Sequence, residues 1–252
     1  MKKFAVFCSL VMFSSFGLSA VAQEMPTGII AWTVQCTLAE GTTMSEAVEW
    51  ARSRPRDETA PNRTVFRQPV IGPPNFEDNY DLRVLTYYAN YNQYISRTQM
   101  MQPSPAVQRA SQQRAKYMTC DPDTRVINRV RNVPGSGGYQ AQGTTLVHGR
   151  LCTLDEGATV ADAWQSIVAI SNNYRQAGDN SLMQMSVRQY GPVQNRSGTN
   201  VLIRAINTPS GMANRIEMGN NGLRPLHGVD TSWSCNYPVL WRTHIINVRE
   251  DD

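Results

Sequence analysis

The sequence predicts an α+β protein made of two tandem copies of one unit with the element order βαββαβ, which is the ferredoxin-like or split βαβ arrangement. Three observations predict it. The stretch CTLAEGTTMSEAVEW starting at Cys36 returns from Cys152 as CTLDEGATVADAW, a shift of 116 residues (36 to 152). That is about the size of one small domain, so the chain reads as an internal duplication. The same succession of strand, turn and helix signals follows each copy, and the cysteines are spaced almost alike, 84 residues from Cys36 to Cys120 and 83 from Cys152 to Cys235.

Lys2 and Lys3 precede an apolar run from Phe4 to Leu18, and Ala20-Val21-Ala22 ends it with a small-x-small pattern. This is the form of a secretory signal peptide, residues 1–22. The run is short for a bilayer span, so cleavage and export are expected over an uncleaved anchor. The mature chain is then periplasmic or secreted. The formal charge of +4 falls to +2 when the two lysines leave. So small a surplus argues against a nucleic-acid groove.

In the first copy, residues 23–133, the run Gly28 to Leu38 is β-branched and aromatic, as strands are. Gly41 breaks it. Thr43 and Glu46 then form a capping box, and Met44, Ala47, Val48 and Ala51 share one helix face. Residues 64–71 and 81–88 read as two more strands, a helix follows from Ser104-Pro105 to Tyr117, and residues 124–133 close the unit. The second copy, residues 144–252, repeats the box with Thr159 and Asp162, has strands at 182–190 and 200–206, a shorter helix at 210–218 and a last strand at 239–248. Pro134-Gly135-Ser136-Gly137-Gly138 lies in the linker between them, residues 134–143.

Cys8 leaves with the signal peptide, so four cysteines remain in an oxidising compartment. Four allow three pairings. The repeat selects Cys36 with Cys120 and Cys152 with Cys235, one bridge per copy. The expected topology agrees, because it makes the first and last strands of a unit antiparallel neighbours. No Cys-x-x-Cys pair and no Cys/His cluster is present, so no metal site is expected.

A lone unit of this kind leaves one sheet face uncovered, and two such faces can bury each other. In this organisation the chain resembles the dimeric α/β barrel superfamily, with both halves fused into one chain as a pseudo-dimeric α/β barrel. The superfamily includes antibiotic-biosynthesis-type monooxygenases, muconolactone-isomerase-like proteins and haem enzymes of the chlorite-dismutase type. The resemblance rests on element order and duplication, and it brings no catalytic motif with it. No cofactor is expected, since nothing in the sequence is a haem motif.

Candidate ligand-binding residues come from the repeat. Arg67 and Arg83 recur as Arg188 and Arg204, both at a shift of 121 residues (67 to 188, 83 to 204), and Arg129 aligns with His244. Projecting into the space between the sheets, these six would form a cationic pocket for a carboxylate or phosphate. Projecting outward, the arginines would cover the sheet with their stems and keep their heads in water. His244 or His148 in the cavity could shuttle protons or hold a haem, or be an ordinary histidine; His227 sits in a turn. The recurring Glu40-Gly41 and Glu156-Gly157 read as turns beside a helix N-terminus. The first copy alone carries the tyrosine- and methionine-rich segment 87–102, either an adaptable lid or partner surface, or a helix-packing insertion.

Scarce histidines and the lack of a nucleophile constellation or metal spacing favour a non-catalytic exported binding protein for a small anionic or aromatic ligand or a protein partner. The alternatives are an enzyme of the monooxygenase or isomerase kind, and a structural accessory protein of the envelope.

Overall fold

The computed structural model describes residues 24–56, 60–72, 80–99, 105–140, 142–192, 199–222 and 229–249, without the side chains of residues 98, 99, 106–108, 110 and 111. The expected signal peptide, His227, Met100, Met101 and Ser104 lie outside the described residues. Among those residues, no helix is long and apolar enough to cross a membrane.

The described residues form nine strands and five helices in the order β1 Ile29–Leu38, α1 Met44–Ser53, β2 Arg63–Ile71, β3 Leu82–Tyr88, α2 Tyr91–Gln99, α3 Pro105–Arg114, β4 Met118–Asn132, β5 Thr144–Leu154, α4 Val160–Gln176, β6 Leu182–Tyr190, β7 Asn200–Asn207, α5 Pro209–Asn220, β8 Trp233–Cys235 and β9 Val239–Val248. The capping boxes form as expected, Thr43 with Glu46 and Thr159 with Asp162. Each satisfies orphan backbone donors of the first helical turn.

The strands pair in one closed antiparallel circuit, β1-β3-β2-β9-β5-β7-β6-β4 and back to β1, with β8 added beside β5. Two ferredoxin-like units packed as a pseudo-dimeric α/β barrel are therefore not what forms; the architecture is an eight-stranded closed antiparallel β-barrel with one extra short strand and few helices. The reason lies at the edges. Two separate sheets would each leave rows of unpaired backbone groups. Here β2 pairs along its length with β9, from Arg63 opposite Val248 to Ile71 opposite Leu240, and β4 pairs with β6, from Ile127 opposite Tyr190 to Asn132 opposite Gln184. The seams between the halves are backbone ladders, so the sheet encloses a lumen instead of two faces stacking.

Side chains alternate across this wall. Two apolar clusters contain helix residues and so lie outside the barrel. One packs Ala47, Val48, Trp50 and Ala51 of α1 on Val34, Phe66, Leu82 and Ile246. The other packs Ala163, Trp164 and Ile167 of α4 and Met212 of α5 on Met183, Met185 and Ala205. Fully burying one side chain such as Ile167 contributes about 1.5–3 kcal/mol. Two further clusters hold no helix residue and face the lumen, Ala31, Val65, Leu85, Tyr87, Val130 and Ile245 in one, Val147, Leu182, Ile206, Val239 and Trp241 in the other.

Both disulfides join the expected pairs, Cys36 to Cys120 and Cys152 to Cys235. They also explain where the observed strands exceed the expected ones. Cys36 lies opposite Cys120, which draws residues 118–121 into the β1 ladder and starts β4 at Met118 instead of residue 124. Cys152 opposite Cys235 likewise makes β8.

Candidate functional site

Two places in the fold gather functional side chains, one inside the barrel and one on its outer wall. Inside, β2 supplies Arg63 and Arg67, β3 supplies Tyr87, β6 supplies Gln184 and Ser186, β7 supplies Arg204 and β9 supplies Thr243, all buried. The Arg67 Nε donates to the Thr243 Oγ1 at 3.3 Å, and the Arg204 Nη2 donates to the Ser186 hydroxyl. Arg63 lies over the ring of Tyr139, 4.2 Å from its centroid, and donates to the Gln140 carbonyl at 2.9 Å. Tyr139 comes from the segment expected as a linker. Its ring packs on the lumen cluster, and its hydroxyl accepts from the Gln184 Nε2.

The electrostatics follow from burial beside like charges. Burial lowers the Arg67 guanidinium to about 10, an effect that Tyr87 opposes and Arg204 adds to. Burial pushes the Tyr87 phenol up, but Arg67, Arg204 and Arg63 together outweigh it and hold that phenol below its ordinary value. Tyr139 is raised to about 12 by burial and by its proximity to Tyr87.

Of the six residues expected to line a pocket, the structure brings Arg67 and Arg204 together in the lumen. Arg83 is register partner of Arg67 and shares the inward-facing alternation of Leu85 and Tyr87 on β3, half-buried with its guanidinium over the Tyr80 ring at 4.7 Å. Arg188 continues the Gln184, Ser186 alternation on β6 but is exposed, donating to the Pro192 carbonyl at 2.9 Å. Arg129 and His244 do not join them. Arg129 lies over the Tyr91 ring of α2 at 5.0 Å and donates to the Gly28 carbonyl, and His244 alternates outward between Thr243 and Ile245.

The outer wall carries the open cavity, about 200 Å³. It lies where α1 leaves the β1-β3-β2 wall uncovered. Trp32, Trp50, Phe66, Tyr88, Met118 and the bridged Cys120 form apolar walls, and Arg54, Arg56, Arg97 and Arg114 supply the charge. No lining residue among the described ones is acidic. Trp50 is held by stacking on Tyr117, centroids 5.1 Å apart, and Arg54 stands 5.3 Å over the Trp50 ring. Burial, then the charges of Arg114 and Arg97, lowers the Arg54 pKa, and its buried Nε has no partner among the described residues.

The described part of the segment 87–102, residues 87–99, builds part of this wall. It forms α2, which contributes Arg97, while Tyr94 packs edge-on against Tyr88 at 5.4 Å. The helix-packing form is thus the one present for its described residues. The pocket arginines were missed in the sequence because they are not repeated in the second half. The available signal was the close spacing of Arg54 and Arg56 just past the end of α1, with Arg97 and Arg114 in the last turns of α2 and α3.

The resemblance to haem enzymes can be tested on the donors. No histidine lines the cavity among the described residues. His148 faces Arg150 and Arg215, and burial followed by those charges lowers it to about 4. His244 is lowered by burial and by Arg242 and Arg52. Among the described residues, no cluster of three or more metal-ligating side chains exists. This donor set does not fit a haem in the cavity, and no chemistry is drawn through one.

No family model matches the chain, and no curated protein matches it. Solved structures that it is similar to include an anthrone oxidase-like protein, at 9% identity with 88% of this chain and 94% of that one covered and a TM-score of 0.42. Another is the encapsulated DyP-type peroxidase from Mycobacterium smegmatis, 9% identical, covering 88% and 94%, with a TM-score of 0.45. A third is a mutant chlorite dismutase from Candidatus Nitrospira defluvii, 5% identical, covering 88% and 93%, with a TM-score of 0.40. These are likenesses of fold alone. The proteins so named are enzymes, against the expectation of a non-catalytic exported binding protein.

Proposed function

We propose that the chain is an exported enzyme of the monooxygenase or isomerase kind, acting in the outer-wall pocket on a flat aromatic substrate with an ionisable oxygen. The observation that carries this reading is the pairing of aromatic walls with a half-buried Arg54, whose Nε has no partner among the described residues, and its neighbours Arg97 and Arg114, with no acid among the described lining residues.

A planar ring gains dispersion and burial against the Trp50 and Phe66 walls of the pocket. Cations arranged around it favour the deprotonated phenol or enol over the neutral form, because they stabilise charge that develops in a water-poor site. That oxyanion is common to both reactions. In an isomerase, the proton taken from one carbon returns at another. In a monooxygenase with dioxygen as co-substrate, a ring CH2 and O2 become C=O and H2O, the electrons coming from the substrate. Tyr88, whose phenol burial holds above its ordinary value, keeps its proton and can donate a hydrogen bond to the oxygen.

A panel of hydroxylated polycyclic aromatics, followed by absorbance, tests the reading. The wild-type protein is expected to shift the bound ring toward its ionised spectrum and to turn it over. Arg54→Met is expected to lower kcat by about 10²-fold, the cost of losing one oxyanion donor. Binding without ionisation, with equal rates in both proteins, would overturn it.

A further inference from the structure

Inside the barrel, two guanidiniums are removed from water with no carboxylate to meet them among the described residues. Arg67 is 4% exposed and Arg204 3%. Their described partners are the neutral hydroxyls of Thr243, Tyr87 and Ser186. The one buried acid among the described residues, Asp179, is engaged elsewhere with Arg215. An isolated buried charge is costly, several kcal/mol even after relaxation, so such a pair calls for a counter-charge.

Unfilled donors converge on the same place. The buried Arg204 Nε has no partner among the described residues, nor has the Thr145 hydroxyl. Thr145 is register partner of Thr243, the residue that Arg67 contacts, so donors from β2, β5 and β7 meet across the lumen. Opposite Arg204 on β5 stands Gly149, where a side chain would collide with Trp241; its absence leaves the Arg204 stem room to lie inward.

We propose that the lumen is a second ligand site, taking a small oxyanion, such as phosphate, sulfate or a short carboxylate, between Arg67, Arg204 and Thr145. Arginines mark its approach. Arg188 is exposed at the end of β6, the half-buried Arg83 interacts with it electrostatically, and Arg83 is register partner of Arg67. The opposite end is occupied by Tyr139 and Arg63. The outer-wall pocket is on the other side of the same strands, as Phe66 and Val84 face it while their neighbours Arg67 and Arg83 face inward, so the two sites are distinct.

The test is thermal unfolding of the full mature protein in phosphate, sulfate or acetate, replacing chloride at constant ionic strength. A saturable rise in Tm is expected for the wild type and is expected to vanish in Arg204→Met. Thr145→Val, a milder change that keeps the fold should Arg204→Met not, is expected to raise the half-saturating concentration several-fold. Saturation by phosphate and sulfate points to an inorganic anion, by acetate alone to a carboxylate, and either supports the site. Equal, non-saturating rises in wild type and variants would overturn it. So would a tyrosinate absorbance at neutral pH that Tyr87→Phe removes, because the phenolate would then be the counter-charge. Neither result bears on the aromatic pocket, whose rates are read with a different probe.

Discussion

Gly149 lies opposite Arg204 across the β5–β7 ladder, and a Cβ at that glycine would stand 2.6 Å from Cζ3 of Trp241 and 3.3 Å from Cγ of Arg204. Trp241 is 5% exposed and its rigid ring has little room to move. Gly149→Ala is therefore expected to destabilise the protein by about 1–3 kcal/mol, the usual cost of overpacking. A lower urea midpoint at unchanged slope would show it, and an unchanged midpoint would mean that the ring yields freely.

Each disulfide closes a long loop, 84 residues for Cys36–Cys120 and 83 for Cys152–Cys235. In the chain-entropy model a loop of that length is worth about 4–5 kcal/mol, less any native-state strain. Replacing Cys36 and Cys120 together by alanine is expected to lower stability by about 2–5 kcal/mol. Denaturant titration of the double variant measures the loss, and peptide mapping under non-reducing conditions checks the pairing.

His148 makes the protein sensitive to acid. Burial first, then Arg150 and Arg215, lowers its pKa from 6.5 to about 4. Between those values the unfolded chain binds a proton that the folded one refuses. The stability is present above pH 6.5 and is lost as the pH falls toward 4, by at most about 3 kcal/mol. His148→Gln is expected to flatten the stability profile over this window, and a profile unchanged by the substitution would remove His148 as the cause.

Asp179 holds the C-terminal turn of α4 to α5. Its Oδ1 accepts from the Ser181 backbone at 3.2 Å and from the Ser181 hydroxyl at 2.7 Å, and its Oδ2 accepts from the Arg215 Nη1. Arg215 in turn lies 3.5 Å over the Tyr174 ring. Removing the carboxylate charge leaves a buried guanidinium uncompensated, so Asp179→Asn is expected to cost about 3–5 kcal/mol. A melting curve within a degree of the wild type would show that water reaches Arg215.

What the amino-acid sequence determined alone was local or repeated. The two capping boxes need only Thr43 with Glu46 and Thr159 with Asp162, three residues apart, and the duplicated spacing selected the disulfide pairs. The repeat matched Arg67 and Arg83 with Arg188 and Arg204 on strands, but strand alternation alone left open which face they take. Tertiary structure decided the rest. The β2–β9 and β4–β6 seams join backbone groups, which every residue carries, so no side-chain pattern announced that the halves would close into one barrel. Closure then set the depth of each arginine, burying Arg67 and Arg204 while leaving Arg188 in water, and it turned His244 to the outer wall. Depth depends on what stands across the lumen, and only the folded chain brings those strands face to face.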